Sequence, residues 1–210
     1  MKTVRYTTEA LRNLKRHGNM ASRIRRAVEE YAADPAAHAN NITPLVGSSS
    51  SRMRVGDYRV IFVENEAELS VVRVGPRGGV YNEGTYGMTI QTTISPDGQR
   101  LVTMTAEEYQ DLIDARDAEA AMRAVAAGTL QTLSGNDVDA YLAAATPLAF
   151  WRRHRGFTQA DMAQLAGVSQ PYLAQLENGQ REGSVSVYRR LARRLGLSVD
   201  ELLPDEPAVS

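Results

Sequence analysis

The stretch SRMRVGDYRVIFVE, residues 51–64, decides how the first half of this chain folds. Its β-branched and aromatic residues roughly alternate with arginines, and ELSVVRVG, residues 68–75, has the same character. Asn65-Glu66-Ala67 forms an acidic turn between them. Two such runs, joined this closely, predict an antiparallel hairpin. Alternate strand residues share a face, so Arg52 and Arg54 point the same way, out of the core. Arg59 and Arg73 lie close to that face or on its reverse, depending on register. Such arginines either keep a sheet soluble and guard its edges, or form a guanidinium cluster for phosphate, which Arg binds bidentately.

Upstream, the period is helical. Thr7-Thr8-Glu9 reads as a helix start before Leu11 and Leu14. Asn19 is placed to cap a second helix, with Met20, Ile24, Val28 and Tyr31 at helical spacing and Asp34-Pro35 as its end. Two N-terminal helices followed by a small antiparallel sheet predict an α+β domain.

RMRVGDYRVIF followed by VVRVGPRGGVY resembles the RelE/HigB toxins over residues 3–81, ITPLVG included. The resemblance implies a four-stranded antiparallel sheet flanked by helices, and metal-free, ribosome-dependent mRNA cleavage. It places Arg52, Arg54, Arg59, Arg77 and Tyr81 at the matching catalytic positions. Arg59 and Arg77 would stabilise charge building on the phosphate while the ribose 2′-hydroxyl attacks. Arg52 and Arg54 would hold the backbone, and Tyr81 would stack on a base or relay a proton. Relatives often read His-Arg-Arg-Asp-x-Tyr where this chain has Pro76-Arg77-Gly78-Gly79-Val80-Tyr81. A candidate acid/base His is missing, and Arg, with a pKa above about 12, is a poor base. These departures point to a slow or lost nuclease. The related ParE toxins share the fold but target gyrase and lack the nuclease residues. The Arg59, Arg77 and Tyr81 set argues against that target.

Downstream, TISPDGQRLVTMT reads as two short strands around a Pro-Asp-Gly turn. Thr105 then opens an amphipathic helix, with Glu107 or Glu108 near the capping-box position and Gly128 as its end. Residues 1–87 carry 13 Lys+Arg against 9 Asp+Glu, whereas residues 96–150 carry 3 against 9. The acidic helix is therefore either a solvated face or a clamp on the basic first block. As a clamp, Glu107, Glu108, Tyr109, Asp111 and Leu112 are the candidate toxin-neutralising residues. Charge would orient docking and apolar burial would supply affinity.

Residues 151–204 are basic again, with 8 Lys+Arg against 5 Asp+Glu. Here TQADMAQLAGVSQPYLAQLENG has Thr158 and Ser169 as caps, Gly167-Val168 as a tight turn and Pro171 in a first helical turn. Pro147 opens the helix before it, and Ser186 the helix after it. This is a helix-turn-helix in an all-helical domain. Residues 147–203 resemble the Xre/Cro-C1 repressors. That resemblance implies operator DNA as partner. Gln159 would meet phosphate, and Ser169, Gln170, Tyr172 and Gln175 would face the major groove. Asn178 and Arg181 would hold the backbone, with Arg152, Arg153 and Arg155 adding positive charge. Such domains usually bind as homodimers on half-sites about one DNA turn apart. Residues 88–204 as a unit resemble HigA-type antitoxins.

The expected organisation is a toxin domain over 1–81, a linker over 82–87, a toxin-binding or dimerising region over 88–145, a helix-turn-helix domain over 146–204 and a disordered tail over 205–210. Met88 reads as the start of a second reading frame joined to the first. There is no cysteine, and His17, His38 and His154 lack metal-ligand spacing, so neither a metal nor any other cofactor is expected. No apolar run approaches the about 20 residues of a membrane span, and the N-terminus lacks a signal-peptide core. A cytoplasmic protein with no membrane partner is expected. Three functions fit. One is a self-neutralised toxin–antitoxin module that represses its own promoter. The second is an active RNA endonuclease localised by its helix-turn-helix. The third is a transcription regulator with an inert toxin fold.

Overall fold

A computed structural model describes residues 1–76 and 91–203. Arg77, Tyr81, the expected 82–87 linker, Met88 and the 205–210 tail lie outside the described residues. The chain is α+β, and its N-terminal half is built on a six-stranded sheet. It opens with strand β1 (Thr3–Thr7) and helices α1 (Thr8–Arg16) and α2 (Gly18–Ala33). Thr7 caps α1 by accepting from the Ala10 N–H. Asn19 lies inside α2 rather than capping it: His17 occupies the N-cap, without a side-chain bond. Strands β2 (Ile42–Pro44), β3 (Ser50–Val55), β4 (Tyr58–Glu64) and β5 (Glu68–Pro76) follow as an antiparallel meander.

The resemblance implied four antiparallel strands; the sheet is larger and mixed. Its order is β2-β3-β4-β5-β1-β8, where β8 is Thr132–Ser134. β1 pairs parallel with β5 and antiparallel with β8. A parallel partner needs a long crossover, and α1 and α2 supply it between β1 and the meander. β8 closes an edge that β1 would otherwise leave unpaired.

The two faces of the sheet are covered by different parts of the chain. α1 and α2 cover one, burying Leu11, Leu14, Ile24 and Val28 against Met53, Val60, Phe62 and Val71. Helix α3 (Ala106–Ala126) covers the other, where Ala115 and Ala118 pack on Leu45, Ile61 and Val72. Thr105 and Glu108 form the expected capping box at its start. Gly128 ends α3 in the left-handed region, at φ +71°. Before α3, the hairpin β6 (Gln91–Ile94) and β7 (Arg100–Thr103) forms a separate two-stranded sheet.

After β8, helix α4 (Gly135–Ala143) packs on α1 and carries buried Val138 and Tyr141 into the same core. Tyr141 meets Phe150 edge-on at 5.1 Å, which joins that core to the helical C-terminal domain. The domain comprises α5 (Pro147–His154), α6 (Gln159–Ala166), α7 (Gln170–Glu177) and α8 (Val185–Leu195). Ser184, not Ser186, caps α8, accepting from the Val187 N–H and placing Val187, Tyr188 and Leu191 on its buried face. Side-chain bonds reinforce the junction. Thr8 donates to buried Glu201 at 3.0 Å, Lys15 reaches the Ala144 carbonyl, and Arg25 pairs with Asp139. No helix among the described residues is long and apolar enough to cross a membrane.

Candidate functional site

The arginine face is built by strand alternation and one irregularity. On β3, Arg52 and Arg54 point the same way, as expected, but onto a face that α3 covers, so that Arg52 is buried rather than out of the core; Met53 and Val55 point to the other face. Opposite them on β4, Arg59 shares that face. The β4–β5 register shifts between Ile61 and Phe62. This lets two successive residues, Val72 and Arg73, both meet α3, the re-aiming of a side chain that β-bulges provide.

α3 answers this row with carboxylates. Arg52 donates to Asp111 at 2.6 Å and lies 3.0 Å from Glu107. Arg54 reaches Glu107 at 2.7 Å. Arg59 meets Asp114 at 3.4 Å, and Arg73 meets Asp117 at 3.0 Å and Asp114 at 3.7 Å. Arg73 also approaches Glu9 on α1 at 3.5 Å. Arg52 and Arg59 are buried, at 4% and 8% exposure, and Asp114 is 2% exposed. Asp114 also accepts from Gln110 at 3.1 Å. Burial pushes the Asp111 carboxyl above the ordinary aspartate value while the Arg52 guanidinium pulls it down. The cost of desolvation thus offsets much of the attraction, as is usual for inward-facing ion pairs. Charge sets the alignment of α3, and Ala115, Ala118 and their aliphatic neighbours supply net burial. The cleft left between Arg59, Arg73, Gly75, Pro76, Gln110 and Asp114 holds about 150 Å³. That is below the about 300 Å³ at which ordinary ligand pockets begin.

Of the five residues expected to clamp this face, Glu107 and Asp111 do so. Glu108 turns back to cap its own helix, accepting from the Thr105 backbone N–H at 2.7 Å. Tyr109 and Leu112 are exposed on the outer side of α3. Asp114 and Asp117, acidic residues of the same clamp helix, also engage the arginines, and Ala115 and Ala118 were not singled out from sequence. The signal for them was the spacing Glu107, Asp111, Asp114, Ala118, which lies on one helical stripe. Arg77 and Tyr81 lie outside the described residues, so Arg52, Arg54 and Arg59 are what the structure gathers from the expected catalytic set.

The second surface is helical. Ser169 caps α7, accepting from the Tyr172 N–H at 3.4 Å. Gly167 makes the turn with φ +63°. Gln170, Gln175, Asn178 and Arg181 are exposed along α7 and the loop after it. Tyr172 is half-buried, and the Arg181 guanidinium lies over its ring at 4.9 Å. Gln159 is held from behind, donating to Glu177 at 2.9 Å. Glu177 is buried and pairs with Arg152 through bonds of 2.5 and 2.9 Å. Arg152 therefore serves the interior and adds no surface charge. Arg153 donates to the Ala149 carbonyl and Arg155 lies over the Trp151 ring. Among the described residues no three His, Cys, Asp or Glu side chains gather as a metal site.

Residues 148–202 match the family model described as helix-turn-helix. A 52-residue stretch is 42% identical to y4dJ, an uncharacterized HTH-type transcriptional regulator of Sinorhizobium fredii, spanning 25% of this chain and 68% of that protein. The chain belongs to the HTH-type transcriptional regulators. A second such regulator, the uncharacterized YazB of Bacillus subtilis, is 36% identical over 56 residues, spanning 27% of this chain and 81% of its own. No solved structure matches the chain. This regulator also carries a toxin domain, since residues 4–81 match the model described as ParE toxin of the type II toxin-antitoxin system parDE. The matching description is ParE, where the sequence motifs resembled RelE/HigB.

Proposed function

We propose that this regulator is a type II toxin–antitoxin module in one polypeptide, a RelE/HigB-like mRNA interferase domain held silent by its own HigA-like antitoxin region. The helix-turn-helix domain binds the promoter of its gene as a homodimer and represses it. One observation carries this reading: Arg52, Arg54 and Arg59 are all engaged by carboxylates of α3, so RNA phosphate and α3 cannot occupy the face together. α3 would neutralise the toxin domain in cis. A covalent link holds inhibitor and toxin at high effective concentration.

The expected chemistry is cleavage without metal. Arg59, with Arg77, would stabilise the pentavalent phosphate, Arg52 and Arg54 would hold the message, and Tyr81 would stack or move a proton. The ParE description favours a second reading, in which the same face is silenced but the target is gyrase.

Cell-free translation separates these readings. A full-length chain with Glu107, Asp111, Asp114 and Asp117 changed to Ala is expected to cleave mRNA on ribosomes, and Arg59→Ala in that background to abolish cleavage. Gyrase-dependent DNA breaks without mRNA cleavage would select the second reading. Neither activity from a folded variant would leave a regulator with an inert toxin fold.

A further inference from the structure

Among the described residues, nothing covers the outer side of α3 or the β6–β7 hairpin. Thr92, Thr93, Ile94 and all four β7 residues are exposed, on both faces of the hairpin. Ile94 is 74% exposed. The pairs Thr92↔Val102 and Ile94↔Arg100 put Ile94 and Val102 on one side. A two-stranded hairpin without a packed face is marginal in water. Two residues after β7, α3 begins, and its outer stripe carries Tyr109 and Leu112 at 59% and 44% exposure, then Arg116 and Arg123. This stripe lies opposite the buried Asp114, Ala115 and Ala118.

The charges on this stripe are ordered about Leu112. Glu108 lies four residues before it and Arg116 four after, each about 6 Å along the axis. That order is complementary to its own copy turned end for end. Two antiparallel α3 helices with a two-fold axis beside Leu112 place Glu108 of each copy, which within one chain caps its own helix, against Arg116 of the other, which within one chain pairs with Asp117 at 2.8 Å. Arg116 also then meets the ring of Tyr109, a favourable cation–aromatic contact. Leu112 packs on Leu112, and the hairpins, one at each end, fold their Ile94–Val102 sides over the second helix. Such a self-complementary patch is what an isologous dimer requires.

We propose that a second copy of this chain covers the outer face of α3, pairing the two helices antiparallel about Leu112. This rests on the reading that the regulator acts on DNA as a homodimer, and it names the surface that makes the pair. The inner face of each α3 stays on its own toxin domain, so dimerisation and neutralisation use opposite sides of one helix.

The chain has no cysteine, so single introduced cysteines report contacts cleanly. In full-length protein, Leu112→Cys is expected to cross-link to its own copy under mild oxidation. Ser186→Cys, exposed on α8, is expected not to. Sedimentation should show a dimer for the unmodified chain, and Leu112→Glu should raise its dissociation constant at least about tenfold, the scale of one interface anchor. A monomeric unmodified chain would overturn the proposal. So would cross-linking at 186 without cross-linking at 112, which would place the contact on the helix-turn-helix domain. A growth-toxic Leu112→Glu chain would also overturn it, by putting Leu112 at the toxin contact. Whether the acid-stripped α3 variant is toxic tests neutralisation alone and leaves this surface untouched.

Discussion

Arg52 and Asp111 stand 59 positions apart, and the guanidinium of the first donates to the carboxylate of the second at 2.6 Å. The bond joins a toxin-type sheet to a helix from the chain's regulatory half. Its two ends differ in redundancy, because Arg52 also has Glu107 at 3.0 Å. Asp111→Asn is therefore expected to cost little, within about 1 kcal/mol in urea unfolding. Asp114 is the buried anchor between Arg59 and Arg73. Asp114→Ala leaves Arg59 buried without its paired carboxylate, which should cost about 3–5 kcal/mol. A larger loss for Asp111→Asn than for Asp114→Ala would contradict this assignment.

Apolar packing under α3 can be tested without touching a charge. Ala118 is fully buried against Ile61 and Val72. Ala118→Leu overfills that contact, at about 1–3 kcal/mol. The account expects α3 to protect its amide hydrogens less in this variant, with α1 and α2 unchanged, as read by hydrogen exchange. Uniform protection across the chain would mean that Ala118 does not hold α3 down.

Why some of this was legible in the sequence and some was not has physical causes. The β3–β4–β5 meander and the helix-turn-helix announce themselves, because alternation, caps and the Gly167 turn all agree. β1 and β8 are short strands with few apolar residues, TVRYT and TLS, and they become strands only by pairing with each other and with β5. The inner face of α3 was hard to see because acidic residues surround the helix and its buried contacts are alanines. Placing Arg73 on the arginine face needed a bulge that no local pattern signals. The bond from Gln159 to Glu177 joins residues 18 positions apart, which no local spacing announces.

Tyr31 gives a pH handle on the toxin domain. Burial and its bond to Glu64 push its phenol up to about 12 from an ordinary 10.0. A raised phenol pKa favours the neutral, folded form. Its contribution is fully present below pH 10.0 and is lost as pH rises through about 12. Alkaline unfolding should therefore show a component in that window that Tyr31→Phe removes. An unchanged alkaline profile in Tyr31→Phe would contradict the assignment.

On DNA, α7 and its flanking loop should divide their roles. Gln170→Ala and Gln175→Ala should each lose about 1–3 kcal/mol on the operator with little change on random DNA. Arg181→Ala should weaken both and reduce the salt slope by about one unit. Gln159→Ala should act partly through stability, since it removes one of the two donors to Oε2 of buried Glu177, the other being Arg152. Equal losses on operator and random DNA for the two glutamines would place the reading surface elsewhere.

The most direct measurement of the central claim is growth after induction of the full-length chain with Glu107, Asp111, Asp114 and Asp117 changed to Ala. The account predicts that the unmodified chain is harmless, that this variant arrests growth, and that adding Arg59→Ala restores it. Normal growth of cells making the variant in folded, operator-binding form would contradict it.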